Sequence, residues 1–213
     1  MEFTTLLDLV GVEPVFESGL LLAGGVSDND VRRQLVRWCH SGRLHQLRRG
    51  VYMLAPPYRK VQAHPFVLAN AMQIGSYVSC ESALAYHGLI PEFVPNTQSV
   101  AAARPGEWHT PAGVFSLRHL KPELLYGFAT LEVAPSQYAR VAYPEKAFLD
   151  LAYLTPGADS AEYLTELRLQ NLETIDTRRL HDLAVRSSSP KLLRVAALVE
   201  KMALVEREEY TPL

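Results

Sequence analysis

One stretch dictates more about this chain than any other. Residues 27–54 read SDNDVRRQLVRWCHSGRLHQLRRGVYML. They predict a capped helix, a glycine stop and a short basic β-hairpin. No acidic residue falls between Val31 and Cys80, whereas eight Lys/Arg lie between Arg32 and Lys60. That asymmetry is the strongest functional signal in the sequence.

Placed at about 100° per residue, the helix separates into two faces. Val31, Leu35, Trp38 and Cys39 gather on one side, which marks a core stripe and puts Trp38 inside rather than free to stack on a base. Asn29, Arg33, Arg37 and His40 gather opposite, with Arg32 on the flank. Ser27 suits the N-cap, and Asp28 and Asp30 suit the positive end of the helix. Gly42 ends it. Residues 43–47 and 51–54 then flank Arg48-Arg49-Gly50, where glycine supplies the positive φ of a tight turn. Leu44 and Leu47 are three apart, which breaks strand alternation and leaves the register open.

Upstream, Phe3, Leu6, Leu7 and Val10 predict a helix over residues 3–10 ending at Gly11. Pro14 suits the first turn of a second helix over 15–22, stopped by Gly24-Gly25. Downstream, Pro56-Pro57 and residues 58–63 read as a linker. Helices follow over 64–74 and 81–87, with a short strand at 77–79. Further strands are expected at 98–102, 114–118, 128–133 and 140–142. From Pro144 the pattern is helical: PEKAFLDLAYL, then 159–170, 176–185 and 190–205, separated by Pro156-Gly157 and residues 187–190. The expected class is α+β, with a winged helix-turn-helix over residues 1–60. Residues 61–213 form a mixed α/β domain with a small sheet and several helices.

Composition bounds the function. The 213 residues are 48% apolar and carry a formal charge of −2, an ordinary globular balance. The average conceals a split: eight basic and six acidic residues in 1–60, thirteen and seventeen in 61–213. For a polyanionic partner the local distribution matters more than the total. Two distant cysteines, Cys39 and Cys80, argue against a disulfide framework or a structural zinc site. The start lacks the basic region of a signal peptide, and no apolar run approaches about 18 residues, so a cytoplasmic protein without a membrane partner is expected. There is no Walker A loop, GxGxxG or HExxH, and no cofactor is expected.

A helix, a turn, a second helix with an outward basic face and a basic hairpin form the winged-helix plan, in which one helix enters a DNA major groove. Asn29 fits a bidentate pair with adenine and Arg33 one with guanine. Arg37 and His40 suit phosphate, and Arg32 on the flank is a further expected DNA contact. Arg43, Arg48 and Arg49 would reach backbone or minor groove from the wing.

Three segments carry a resemblance to a known family. RLHQLRRGVYML resembles the end of the winged-helix domain of AbiEi-type antitoxins, which belong to type IV (abortive infection, phage-defence) toxin–antitoxin systems. YVSCESALAYHGLIPE is similar to the family's YVS-x-x-SAL-x-x-HGL segment, and VAYPEKAFLDLAYL to its VA-x-PEKA-x-LDL-x-Y helix. Together they span about residues 14–155 in matching order. Glu81 departs from the pattern, standing where a bulky apolar or aromatic residue is common. The resemblance implies a DNA-binding repressor that autoregulates its operon through promoter inverted repeats. It also implies an antitoxin that counters a nucleotidyltransferase-like toxin without a stable complex. The competing reading is a protein-interaction module that neutralises its partner by direct binding, with DNA binding secondary.

Other constellations carry weaker chemistry. Cys80 and His87 would share a helix face if the helix began at Cys80, giving a conceivable thiol–imidazole pair. No orienting acid stands at helical spacing, and no catalytic residue is assigned. Lys146 and Asp150, four apart, suit a helix-surface ion pair. His109 and His119 are poor candidates for a metal site. Arg178, Arg179, Arg186, Lys191 and Arg194 form a second basic concentration, diluted by Asp176 and Asp182 and read as a solvated helical face.

Overall fold

In the computed structural model, which describes residues 2–22 and 27–209, the 27–54 stretch folds into a helix and a hairpin. Helix α1 (Phe3–Val10) precedes them and ends at Gly11. Strand β1 (Phe16–Glu17) and a 3-10 turn over Ser18–Leu22 come next, then helix α2 (Asp28–His40) and strands β2 (Leu44–Arg48) and β3 (Val51–Leu54). The helix expected over 15–22 is therefore replaced by strand and 3-10 turn. Phe16 and Glu17 pair antiparallel with Tyr52 and Val51, and the Ser18 N–H donates to the Gly50 carbonyl at 2.8 Å. Those cross-strand bonds satisfy backbone groups that an α-helix would otherwise pair internally. Gly24-Gly25, expected to stop that helix, lies outside the described residues.

Ser27 occupies the N-cap of α2, but its side chain makes no capping hydrogen bond. Its carbonyl instead accepts from the Asp30 and Val31 N–H groups, each at 3.0 Å. Gly50 turns the hairpin with φ +83°, as a tight turn demands. A β-bulge between Gln46 and Arg48 explains the irregular leucine spacing. The extra residue lets Leu44 and Leu47 both be buried although they are three apart.

All four β3 residues are buried because the hairpin serves two cores. Leu44, Tyr52 and Leu54 join Leu6, Val10, Phe16, Val31, Leu35 and Trp38. Leu47, Val51 and Met53 join Leu68, Ala69, Met72, Val78 and Phe115 from beyond residue 60. The irregular segment after β3 is held at its far end by Gln137. That amide donates to the Gln62 carbonyl at 2.9 Å and accepts from the His64 N–H at 2.8 Å.

The rest is a mixed six-stranded sheet with helices packed against it. Helix α3 (Pro65–Met72), strand β4 (Tyr77–Val78) and helix α4 (Cys80–Tyr86) lead into β5 (Asn96–Ala101), β6 (Gly106–Thr110), β7 (Gly113–His119), β8 (Phe128–Ala134) and β9 (Gln137–Ala142). The strand order is β6-β7-β5-β4-β9-β8, with β4–β9 and β5–β7 parallel. Strand β6 was not expected: Gly-Glu-Trp-His-Thr offers little apolar alternation, and its backbone pairing with β7 makes it a strand. Helices α5 (Pro144–Leu154), α6 (Ala161–Glu166), α7 (Thr177–Arg186) and α8 (Pro190–Glu209) complete the fold. Among the described residues, no helix is long and apolar enough to cross a membrane.

Candidate nucleic-acid interface

Helix α2 is oriented by its core stripe. Val31, Leu35 and Trp38 are buried, and Trp38 packs edge-on against Phe3 at 5.3 Å between ring centroids. Fixing that side turns Asn29, Arg32, Arg33, Arg37 and His40 outward, and all five are exposed. A cleft of about 880 Å³ runs along part of this face, lined by Leu21, Asp30, Arg33, Val36 and Arg37 among others.

The helix acids temper its cations. Arg33 pairs with Asp30 at 2.5 Å and Arg32 with Asp28 at 3.6 Å, while Arg37 donates to Gln34. These are surface contacts; the Arg33 and Asp30 side chains are 75% and 57% exposed. Such pairs contribute about 0–1 kcal/mol, so exchanging an aspartate for a phosphate has a small cost.

The hairpin divides its arginines. Arg49, at the turn, is exposed. Arg43 is exposed too, with its guanidinium 4.9 Å from the centre of the Phe3 ring. Arg48 is not presented with them. Its Nη1 donates to the Met72 carbonyl and to Gln73 Oε1 at 2.6 Å, and its guanidinium lies 5.4 Å from the Trp108 ring centre. The bulge that buries Leu47 places Arg48 on the side facing α3 and β6. The structure thus brings seven of the eight expected contact residues to the surface and ties the eighth to the rest of the chain.

A buried polar constellation lies elsewhere. Lys146 and Asp150 pair, but in the interior rather than on the helix surface: their side chains are 3% and 2% exposed. Asp150 Oδ2 accepts from the Tyr77 hydroxyl at 2.9 Å and the Ser79 hydroxyl at 2.7 Å. The Lys146 ammonium also lies 4.9 Å from the Tyr126 ring centre. Burial pushes the Asp150 carboxyl above its ordinary range, against the pull of Lys146 and the two hydroxyls. Beside this group, buried Glu145 accepts from the Asp176 N–H at 2.9 Å and meets Arg179 at 3.5 Å. The sequence offers the i,i+4 spacing of Lys146 and Asp150 but gives no sign that α4 and the sheet cover them.

Helix α4 does begin at Cys80, yet no thiol–imidazole unit results. His87 Nε2 lies 2.8 Å from the Ala142 carbonyl, and the fully buried Cys80 thiol is pushed far up by desolvation, away from the nucleophilic thiolate. His109 meets Glu107 at 2.7 Å and His119 the Ala103 carbonyl at 3.1 Å. Among the described residues, no three His, Cys, Asp or Glu converge to hold a metal ion.

Internal partners also take up much of the second basic concentration. Arg194 makes two bonds to Asp159 at 2.7 and 3.0 Å, Lys191 donates to the Thr155 carbonyl at 2.6 Å, and Arg186 stacks 4.1 Å from the Tyr126 ring centre. Arg178 is exposed. The exposed basic surface of α2 and the hairpin turn, with no acid after Asp30, therefore remains the better candidate for a polyanion. Neither the models of known protein families nor the curated proteins contain a match to this chain.

Proposed function

We propose that this chain is a DNA-binding repressor that also serves as the antitoxin of a type IV system. Residues 1–60 would act as a winged helix-turn-helix, with α1, β1, the 3-10 turn, α2 and the β2–β3 hairpin in that role's order. The observation that carries the DNA reading is the division of α2: a buried Val31–Leu35–Trp38 side and an exposed side holding Asn29, Arg32, Arg33, Arg37 and His40. A helix of this kind fits the major groove, with its N-terminal residues reaching base edges. Arg43 and Arg49 supply backbone contacts, and phosphate attraction supplies most of the affinity. Arg48 is left out of this contact set.

The antitoxin half of the proposal rests on the three sequence segments that resemble AbiEi-type antitoxins. Two of them fall in the β4–α4 and β9–α5 regions, which supply the buried Tyr77, Ser79, Lys146 and Asp150. Those four residues account for the buried part of these segments as a packed core unit.

The test is binding of the full chain to a duplex carrying its own promoter's inverted repeats, followed by fluorescence anisotropy over a salt series. Arg33→Ala is expected to weaken specific binding by ~1–3 kcal/mol and relax preference at one base pair. Arg37→Ala should weaken all sequences alike and flatten the salt dependence. Unchanged affinity in both variants overturns the DNA reading. Co-expression with a nucleotidyltransferase-like toxin encoded beside it tests the second half: growth should be restored without a stoichiometric complex, and co-purification as a stable pair would overturn the type IV assignment.

A further inference from the structure

Val36 is the one exposed large apolar side chain on helix α2, at 48%. It belongs neither to the buried cluster that orients the helix nor to the residues packed against that cluster. A β-branched residue on a solvated helix face loses side-chain freedom without the gain of burial. Val36 therefore adds little to the fold itself.

Its neighbours on the helix surface are polar and mostly cationic. Residues three and four apart on a helix lie side by side, so Arg32, Arg33 and His40 ring Val36, and Asn29 stands two turns before it on the same face. All four are exposed. Val36 also lines the cleft of about 880 Å³, together with Asp30, Arg33 and Arg37. A second copy of this face would set cations against cations, so the fitting partner is an anion.

A DNA duplex offers such a face one apolar group. Its phosphates are charged and its base edges present donors and acceptors, whereas the C5-methyl of thymine projects into the major groove. We infer, resting on the DNA reading above, that Val36 packs on a thymine methyl of the operator and so fixes the identity of one base pair. At 1.5 Å per residue, Val36 stands about 4.5 Å along the helix axis from Arg33. The thymine accordingly lies within about two base pairs of the base that Arg33 reads. The surrounding cations supply attraction; Val36 supplies discrimination against cytosine, whose edge carries no methyl group.

Fluorescence anisotropy on the full chain tests this with two synthetic duplexes of its own promoter's inverted repeats, one normal and one with every thymine replaced by deoxyuridine. The exchange removes only the methyl groups, and no cytosine of synthetic DNA carries one. The parent should bind the uracil duplex at least about fourfold more weakly, which is the worth of about one buried methyl. Val36→Ser should bind the normal duplex more weakly and lose most of that discrimination. Val36→Ala, which keeps a shorter apolar stub, should fall between. Comparing variants on both duplexes cancels what the exchange does to the DNA itself. Because Val36 is exposed, thermal melts should be unchanged. A parent that prefers its repeats to an unrelated duplex but ignores the exchange overturns the inference and leaves the DNA reading standing. So does a Val36→Ser variant that keeps the full discrimination. Absence of any preference for the repeats overturns both.

Discussion

Lys146→Met would expose how much of the fold depends on one buried charge. The substitution keeps an unbranched apolar stem of similar length but leaves Asp150, 2% exposed, without its cation. The Tyr77 and Ser79 hydroxyls still donate to Oδ2, so the carboxylate keeps two of its partners. Breaking a buried pair by removing one member typically costs about 3–5 kcal/mol. In a chain of 213 residues that corresponds to a fall in Tm of roughly 6–20 °C. The sign of the pH dependence follows from Asp150. Burial already raises its pKa, and Lys146 is the first of the opposing influences, so the variant's carboxyl rises further. Between the unfolded value of about 3.9 and the raised folded value, the native state binds a proton that the unfolded state lacks. Stability of the variant must therefore decline as pH rises through that window, and its deficit against the parent must be largest at neutral pH and smallest below about pH 4. Urea melts of both proteins from acid to neutral pH measure this directly. Adding Asp150→Asn should recover part of the loss, since a neutral amide can still accept from both hydroxyls. A deficit under about 1 kcal/mol at pH 7, or one that does not change with pH, would refute the reasoning.

Two other substitutions separate structural from contact roles. Arg48→Ala removes bonds to Met72 and Gln73 and should lower stability by about 1–3 kcal/mol in thermal melts, while leaving the salt dependence of DNA binding unchanged; Arg49→Ala should do the reverse and reduce the salt slope by about 0.9. Gly127→Ala should destabilise by about 1–3 kcal/mol in the same melts: the glycine has φ +73°, and a Cβ there would stand 3.0 Å from Lys146 Cγ.

Local periodicity made most helices legible. Helices α1, α2, α5, α7 and α8 fall within a few residues of their expected positions because apolar spacing, prolines and glycines mark them. Strand β1 differs from the expected helix because Phe16 and Glu17 gain their conformation from Tyr52 and Val51, more than thirty residues away. Strand β6 was missed for a similar reason: its pairing with β7 supplies what its own residues do not signal. Charged residues carry the least signal of whether they end inside or outside. Lys146 and Asp150 have the spacing of a surface pair, and only the packing of α5 against α4 and the sheet makes it an interior one. Phe93, 89% exposed, carries no sequence signal for exposure at all; a single phenylalanine between valine and glutamate reads as core.

The hairpin changes what the basic stretch can mean. A wing that extends freely into solvent would be able to use every one of its arginines on a nucleic acid. Here β3 is buried on both sides, so the hairpin is as much the floor of the second unit as the edge of the first. Any movement of Arg49 relative to α3 must strain the apolar contacts of Leu47, Val51 and Met53 and the bonds of Arg48. The position of the hairpin tip is consequently fixed by residues after 60, and the charge count along the sequence overstates the surface it creates. Of the three arginines on α2, all face outward; of the three in and before the hairpin turn, one is spent on cohesion. The reading of residues 27–54 as a DNA-facing unit therefore rests on the helix first and on the hairpin second.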